Sequence, residues 1–221
     1  MRVVKGEADN IVVEENGVRY RTDLSAGQKT GWYYDLGEAR AFLAGLSKGL
    51  TVLDAYCYCG GFSLAAAKAG ARETLGVDSS GPAIALARET AAAEDLLSRF
   101  EETDALRRLE DLGASGERFD IVIADPPPFV KARKDLDAGA RAYRKLARVA
   151  ASVVAREGIL FLASCSHNMP ADRFALECAG GIAKTGRPAR VIRQGGAGVD
   201  HPTHPLLPES AYLKWQVYAM D

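Results

Sequence analysis

Short apolar runs alternate with helical segments from residue 50 onward, and this alternation limits the possible folds more than any other feature. The runs are almost continuously apolar, which is typical of strands buried on both faces of a parallel sheet. Strands are predicted at residues 50–56, 74–77, 100–102, 119–124, 158–163, 189–193 and 212–218. Helices are predicted at residues 62–68, 82–94, 104–111, 136–155 and 171–184. This order predicts an α/β fold with a mostly parallel seven-stranded sheet and a closing antiparallel strand.

The segment before this alternation has a different pattern. Asn16 and Gly17 lie between two β-prone runs, and an Asn-Gly pair is a strong signal for a hairpin because both turn positions need positive φ. We therefore predict a hairpin over residues 11–22, a loop over 23–35 and a helix over 36–47. Residues 1–47 are expected to form an N-terminal region, and residues 48–221 the main domain.

The composition argues against a membrane protein and gives no sign of overall affinity for nucleic acid. The chain carries 28 basic and 29 acidic side chains, so any contact with RNA must come from a local patch. No apolar run approaches the roughly 20 residues that span a bilayer, and no signal peptide is visible. The four cysteines form no CxxC pair, which is typical of a reduced protein, and we expect a cytoplasmic location.

A glycine-containing loop, residues 54–63, follows the first predicted strand and opens a helix. Glycines there let a ligand approach the backbone and the helix N–H groups, although a plain structural turn also explains them. Asp78 ends the next predicted strand, where a carboxylate can accept hydrogen bonds from ribose hydroxyls. Alternatively, Asp78 or Ser79 caps the helix that starts near Pro82.

Two further acids follow predicted strands. Asp104 can reach an adenine amino group, or it can cap the helix that follows it. Asp125 precedes three consecutive prolines, which cannot continue a central strand and which hold the carboxylate in a fixed geometry. The alternative is a stiff connector, although an acid followed by three prolines at the end of a parallel strand is unusual for a mere connector.

A thiol and an imidazole, Cys165 and His167, follow the fifth predicted strand. A cysteine at such a strand end can act as a nucleophile if its pKa is lowered, or it can be an inert, half-buried thiol. The spacing of the two residues does not match a structural zinc site. His201 and His204 lack the further ligands that a metal site requires, so we expect no metal.

Taken in order, these motifs resemble the class I S-adenosylmethionine-dependent methyltransferases. More narrowly, they resemble the large-subunit ribosomal RNA cytosine-C5 methyltransferases, over residues 11–221 and including the flanking segments 28–35 and 208–214. The N-terminal PUA domain typical of that group is not among the 221 residues. Cys59 stands where the group usually has threonine, and Leu36-Gly37 stands where it has Gln-Arg.

The resemblance implies a Rossmann-like fold, S-adenosyl-L-methionine as cofactor and residues 48–221 as the catalytic domain. Cys165 would attack C6 of cytosine while Asp125 hydrogen-bonds N3, and these are the implied catalytic residues. Asp78 would hold the ribose hydroxyls and Asp104 the adenine amine. The methionine end would lie against Lys29, Thr30, Gly31 and Tyr33, above a loop formed by Tyr58, Gly60, Phe62 and Ser63. The other implied cofactor positions are Asp54, Ser79, Ala105, Asp125 and Pro127.

The resemblance also implies an RNA substrate, ribosomal RNA in particular, and it leaves a homodimer open. Basic residues after the proline loop could line the RNA path or form a solvated helix face; they are Lys131, Arg133, Lys134, Arg141 and Arg144. An adenine amino-methyltransferase also uses an acid-Pro-Pro-aromatic loop, although here Pro128 intervenes before Phe129. A non-catalytic cofactor-binding or RNA-binding protein is another alternative. The missing G-x-G-x-x-G disfavours an NAD-dependent oxidoreductase.

Overall fold

An N-terminal hairpin forms as the Asn-Gly pair predicts, in a computed structural model that describes residues 11–23 and 31–221. Strands β1 (Ile11–Glu15) and β2 (Val18–Thr22) pair antiparallel around a two-residue turn. Asn16 and Gly17 have φ of 51° and 74°, the left-handed values that this hairpin turn requires. The hairpin docks through the fully buried Tyr20, whose hydroxyl donates to the Gly61 carbonyl over 3.1 Å.

The seven-stranded sheet is confirmed. Its strands are β3 (Thr51–Ala55), β4 (Glu73–Asp78), β5 (Arg99–Glu102), β6 (Phe119–Ala124), β7 (Val154–Ser164), β8 (Ala189–Gly195) and β9 (Lys214–Met220). They lie in the order β5-β4-β3-β6-β7-β9-β8. Strands β3 to β7 are parallel, and β9 runs antiparallel to both of its neighbours. The predicted closing antiparallel strand is therefore β9.

Six α-helices are described, and they cover both faces of the sheet. They are α1 (Gly37–Leu46), α2 (Gly61–Lys68), α3 (Gly81–Ala93), α4 (Ala105–Ser115), α5 (Leu136–Ser152) and α6 (Ala171–Ala183). Apolar side chains of α4, α5 and α6 form one buried cluster with the sheet. Helices α1, α2 and α3 bury theirs on the other side, where the hairpin also packs. No helix within the two described stretches is long and apolar enough to cross a membrane.

Several boundaries differ from the predictions, three of them near the ends of predicted helices, strands or loops that flank the cleft or the sheet. The helix predicted over residues 136–155 ends at Ser152, because Val154 pairs with Phe119 and begins β7. The run around Val154 is apolar enough for a helix or for a strand, so its pairing with a neighbouring strand determines which of the two forms. The last strand begins at Lys214 rather than at residue 212. A short 3-10 helix, Tyr34–Leu36, occupies the end of the segment predicted as a loop.

The order of the strands places a crevice at the centre of the sheet. Strand β3 pairs with β4 on one side and with β6 on the other. The connections leaving the ends of β3 and β6 therefore run to opposite faces of the sheet, which is where ligands bind in open α/β folds. All the acids singled out from the sequence lie near this end of the sheet.

Candidate active site

A cleft of about 650 Å³ opens at the carboxyl ends of the central strands. Small-molecule sites typically have volumes of about 300–1,000 Å³. Most of the residues that the resemblance implies line this cleft: Tyr33, Tyr58, Phe62, Asp78, Ser79, Asp104, Asp125, Pro127 and Cys165. Groups from Tyr33 to Cys165 are thus brought to one cavity.

Five other implied cofactor positions do not line the cleft: Gly31, Asp54, Gly60, Ser63 and Ala105. Asp54 lies beneath it, where its Oδ2 accepts a 2.9 Å hydrogen bond from the main-chain N–H of the buried Ser63. Its other carboxylate oxygen is buried and has no hydrogen-bond partner in the described part of the chain. Burial raises the pKa of Asp54 to about 7. Direct cofactor contact by these five residues stays a prediction, and Lys29 and Thr30 lie outside the described residues.

The loop between β3 and α2 owes its shape to left-handed backbone. Tyr56, Tyr58 and Gly60 have φ of 66°, 51° and 82°. At Gly60 a Cβ would also lie only 3.0 Å from the Leu64 side chain and 3.1 Å from Phe100. Glycine is required there for conformation and for space. Gly60 itself does not line the cleft, whereas Tyr58 does.

Asp78 is held rigidly at the end of β4. Its Oδ2 accepts from the Tyr58 N–H and its Oδ1 from the Ser80 N–H, both over 2.9 Å. Ser80 caps α3 by accepting a hydrogen bond from Ala83 N–H, so the alternative that Asp78 or Ser79 is the cap is wrong. A carboxylate oxygen accepts more than one hydrogen bond, so Asp78 can still receive donors from the cleft.

Asp104 does cap its helix. Its Oδ1 accepts a 2.8 Å hydrogen bond from the Arg107 N–H at the start of α4. The same side chain lines the cleft. The two interpretations of Asp104 are therefore compatible, because the cap engages one oxygen of the carboxylate.

A hydroxyl network ties the proline loop to the turn that carries Cys165. Within it, the Tyr143 hydroxyl lies 2.7 Å from Ser164 Oγ and 3.0 Å from Ser166 Oγ. The Val130 N–H donates to Ser166 Oγ over 3.3 Å. Residues 164–166 and the chain after Asp125 are thus held together. Sequence reasoning missed this role of Tyr143, and the only signal for it was the pair of serines flanking Cys165.

Cys165 differs from the other cysteines in its exposure. It is half-buried and lines the cleft. Cys57 and Cys59 also line the cleft but are buried, and Cys178 is buried away from it. Burial raises the pKa of Cys59 to about 12, and it raises the pKa values of Cys57 and Cys178 as well. These three thiols stay protonated near neutral pH, so they are poor nucleophiles.

Several lining residues were not predicted, and an ion pair from the hairpin orders two of them. Arg40, only 3% exposed, donates to the Glu15 carboxylate over 2.5 and 2.9 Å and to the Tyr33 carbonyl over 2.6 Å. Trp32 donates to the same carboxylate over 3.3 Å. The hairpin therefore helps to set the wall of the cleft that Tyr33 belongs to. The other unpredicted lining residues include Asp35, Tyr56 and Leu213.

Solved structures with the same architecture include two methyltransferases. A crystal structure of SMU.776 complexed with SAH superposes with a TM-score of 0.86 at 24% identity, covering 97% of this chain and 57% of that one. A SAM-dependent methyltransferase from Agrobacterium tumefaciens superposes with a TM-score of 0.76 at 18% identity, covering 98% and 72%. At these identities the likeness shows a shared fold.

Similar curated proteins are named ribosomal RNA large subunit methyltransferase I. The protein from Tolumonas auensis is 34% identical over 210 residues, which are 93% of this chain and 53% of the relative. The one from Shewanella frigidimarina is 35% identical over 207 residues, 92% and 52% of the two chains. The chain thus spans about half the length of these relatives. The family described as S-adenosylmethionine-dependent methyltransferase matches residues 4–185, and with the fold and the cleft described above, the chain belongs to that family.

Proposed function

We propose that this protein methylates C5 of a cytosine in RNA, with S-adenosylmethionine as methyl donor and Cys165 as nucleophile. One observation carries the proposal: a half-buried thiol, Cys165, lines the same cleft as Asp125 and Asp78. The methyl donor and the nucleophilic thiol must lie in one cavity, because the thiol adds to the base before the base receives the methyl group.

The cleft fits S-adenosylmethionine by its volume and by its polar groups. Asp78 is the last residue of β4, Asp104 follows the neighbouring strand β5, and both line the cavity. Their carboxylates would hold the ribose hydroxyls and the adenine amine, and Tyr33 and Tyr58 would flank the methionine end. When bound, this cofactor supplies an electrophilic methyl group on a sulfonium.

The residues of the chain would activate the base. C5 of cytosine is a weak nucleophile, and addition of the Cys165 thiolate forms a bond to C6 and moves an electron pair toward C5 and N3. Asp125 in its protonated form would donate a hydrogen bond to N3 and so stabilise the developing negative charge. After methylation the C5 proton passes to a base, the C5=C6 bond re-forms and the thiolate leaves.

The relatives' name, which refers to ribosomal RNA, supports an RNA substrate. A base inside a helix cannot reach the cleft, so the target must be single-stranded or splayed out. Near the proline loop, all five of the predicted basic residues are exposed: Lys131, Arg133, Lys134, Arg141 and Arg144. Because Arg144 pairs with Glu177 over 2.6 Å, we assign the RNA path to the other four.

Mass spectrometry of nucleosides tests the proposal. The protein is incubated with unmodified large-subunit ribosomal RNA and S-adenosylmethionine carrying a deuterated methyl group. We expect labelled 5-methylcytidine. Labelled N6-methyladenosine in its place would overturn the proposal in favour of the adenine amino-methyltransferase, and the absence of any labelled nucleoside would overturn it in favour of a non-catalytic protein.

A further inference from the structure

A buried lysine, Lys214, fastens the turn that follows Cys165. It is the first residue of β9 and lies opposite Ser164, the last residue of β7. Its Nζ donates to the main-chain carbonyls of Ser166 and Met169 over 2.5 and 2.8 Å. The residue is only 8% exposed. These two bonds tie the chain after the thiol to the neighbouring strand.

The charge of this lysine is poorly compensated. Desolvation penalises a buried ammonium unless an anion lies near it. Burial lowers the pKa of Lys214 to about 8. Within the described residues, the negative charge of a Cys165 thiolate acts in the other direction and raises the pKa of Lys214. By reciprocity, a protonated Lys214 favours ionisation of Cys165.

Among residues 11–23 and 31–221, the other titratable groups around Cys165 do not supply such a positive charge. Burial raises the pKa values of Tyr33, Tyr143 and Tyr212, which each feel the charge of the Cys165 thiolate, so these phenols are neutral near pH 7. Asp125 and Asp35 line the same cleft, and a negative charge on either carboxylate would disfavour a thiolate at Cys165. Asp35 also accepts the hydrogen bond from Tyr212. His167, two residues further on, is exposed to solvent, where its charge is screened.

We propose that Lys214 is a positioning residue for Cys165: it holds the turn that follows the thiol and supplies the buried positive charge that favours the thiolate. The thiolate is the nucleophilic form of cysteine. This inference rests on the proposed role of Cys165, but its test needs no RNA. A failure of the inference can therefore be distinguished from a failure of the proposed function.

The test is the pH profile of Cys165 alkylation by iodoacetamide, followed by mass spectrometry of the peptide that contains Cys165. In the wild type we expect the rate to follow a titration below the ordinary cysteine pKa of about 8.5. Lys214→Met should lower the rate at pH 7 on the order of tenfold, and Lys214→Arg should retain most of it. Lys145→Met is the matched control, because Lys145 is an exposed lysine paired with Glu110 on the surface.

Two results would overturn the inference. One is a wild-type Cys165 that titrates at or above the ordinary cysteine value, a measurement that depends on no variant. The other is an equal alkylation rate in the wild type and in a folded Lys214→Met protein. If Lys214→Met does not fold, the pH profile of Cys165 alkylation in the wild type is the deciding measurement. A titration of Cys165 below the ordinary cysteine pKa then supports the inference.

Discussion

The hydroxyl of Tyr212 donates a 2.6 Å hydrogen bond to Asp35, which lies 177 residues earlier in the chain. The main-chain carbonyl of Asp35 also accepts a hydrogen bond from Gly198 N–H over 3.2 Å. Both ends of the loop from Gly198 to Tyr212 are therefore fastened to one residue. Asp35 is 4% exposed and lines the cleft. The hydrogen bond from Tyr212 therefore links the segment just before β9 to the wall of the cleft that contains Tyr33.

Tyr212→Phe should destabilise the protein by about 1–3 kcal/mol, because it leaves a buried Asp35 carboxylate without its phenol donor. The other oxygen of that carboxylate already has no hydrogen-bond partner in the described part of the chain. The free energy of unfolding in urea measures the loss. Tyr34→Phe is the control, since Tyr34 is 47% exposed and should change stability by less than about 0.5 kcal/mol. Equal stabilities of the two variants would contradict the prediction.

Asp78→Asn should weaken binding of S-adenosylhomocysteine on the order of 10- to 100-fold. Charge-assisted hydrogen bonds are worth about 1.5–3 kcal/mol, and asparagine keeps the size of the side chain while losing the charge and one acceptor. Calorimetry measures the affinity, and Asp111→Asn, an exposed position on α4, is the control. An affinity for Asp78→Asn that matches the control would remove Asp78 from the cofactor site.

The buried Asp54 should make stability depend on pH. Its pKa is raised to about 7 in the folded protein, against about 3.9 in an unfolded chain. The folded state therefore binds more protons than the unfolded state between about pH 4 and pH 7, and stability falls as the pH rises through this window. Relative to Asp54→Asn, the wild type should lose roughly 2 kcal/mol between about pH 5 and pH 7. Urea unfolding curves with the same pH dependence for both proteins would show that Asp54 does not titrate there.

Much of the fold was predictable because its signals are local. The Asn16-Gly17 pair determines the hairpin turn, and apolar runs mark the strands whose ends carry Asp78 and Asp125. The pattern predicts Val154 in a helix because an apolar run carries no information about its pairing partner, here Phe119. Local patterns thus predict the elements better than their boundaries.

The parts of the site that were missed depend on contacts between distant residues. The bond from Tyr212 to Asp35 and the network centred on Tyr143 join residues that no periodicity relates. Asp54 belongs to the same motif as Tyr58, yet Asp54 is still part of β3 and accepts a hydrogen bond from Ser63 beneath the loop, whereas Tyr58 lies in the loop and lines the cleft. A motif therefore identifies the loop, and only the fold determines which of its side chains face a ligand.

Cys165→Ala gives the sharpest test of the chemistry. RNA transcribed with 5-fluorocytidine should form a covalent adduct with the wild type in the presence of S-adenosylmethionine, because fluorine at C5 cannot leave as the proton does. Cys165→Ala should abolish both this adduct and turnover while leaving the affinity for S-adenosylhomocysteine nearly unchanged, since a nucleophile acts in the chemical step. Cys178→Ala is the matched control, because Cys178 is buried in α6 away from the cleft, and it should still form the adduct. A Cys165→Ala variant that methylates RNA at the wild-type rate would exclude the adduct mechanism. A variant that loses both methylation and affinity for S-adenosylhomocysteine would mean that Cys165 has a structural role.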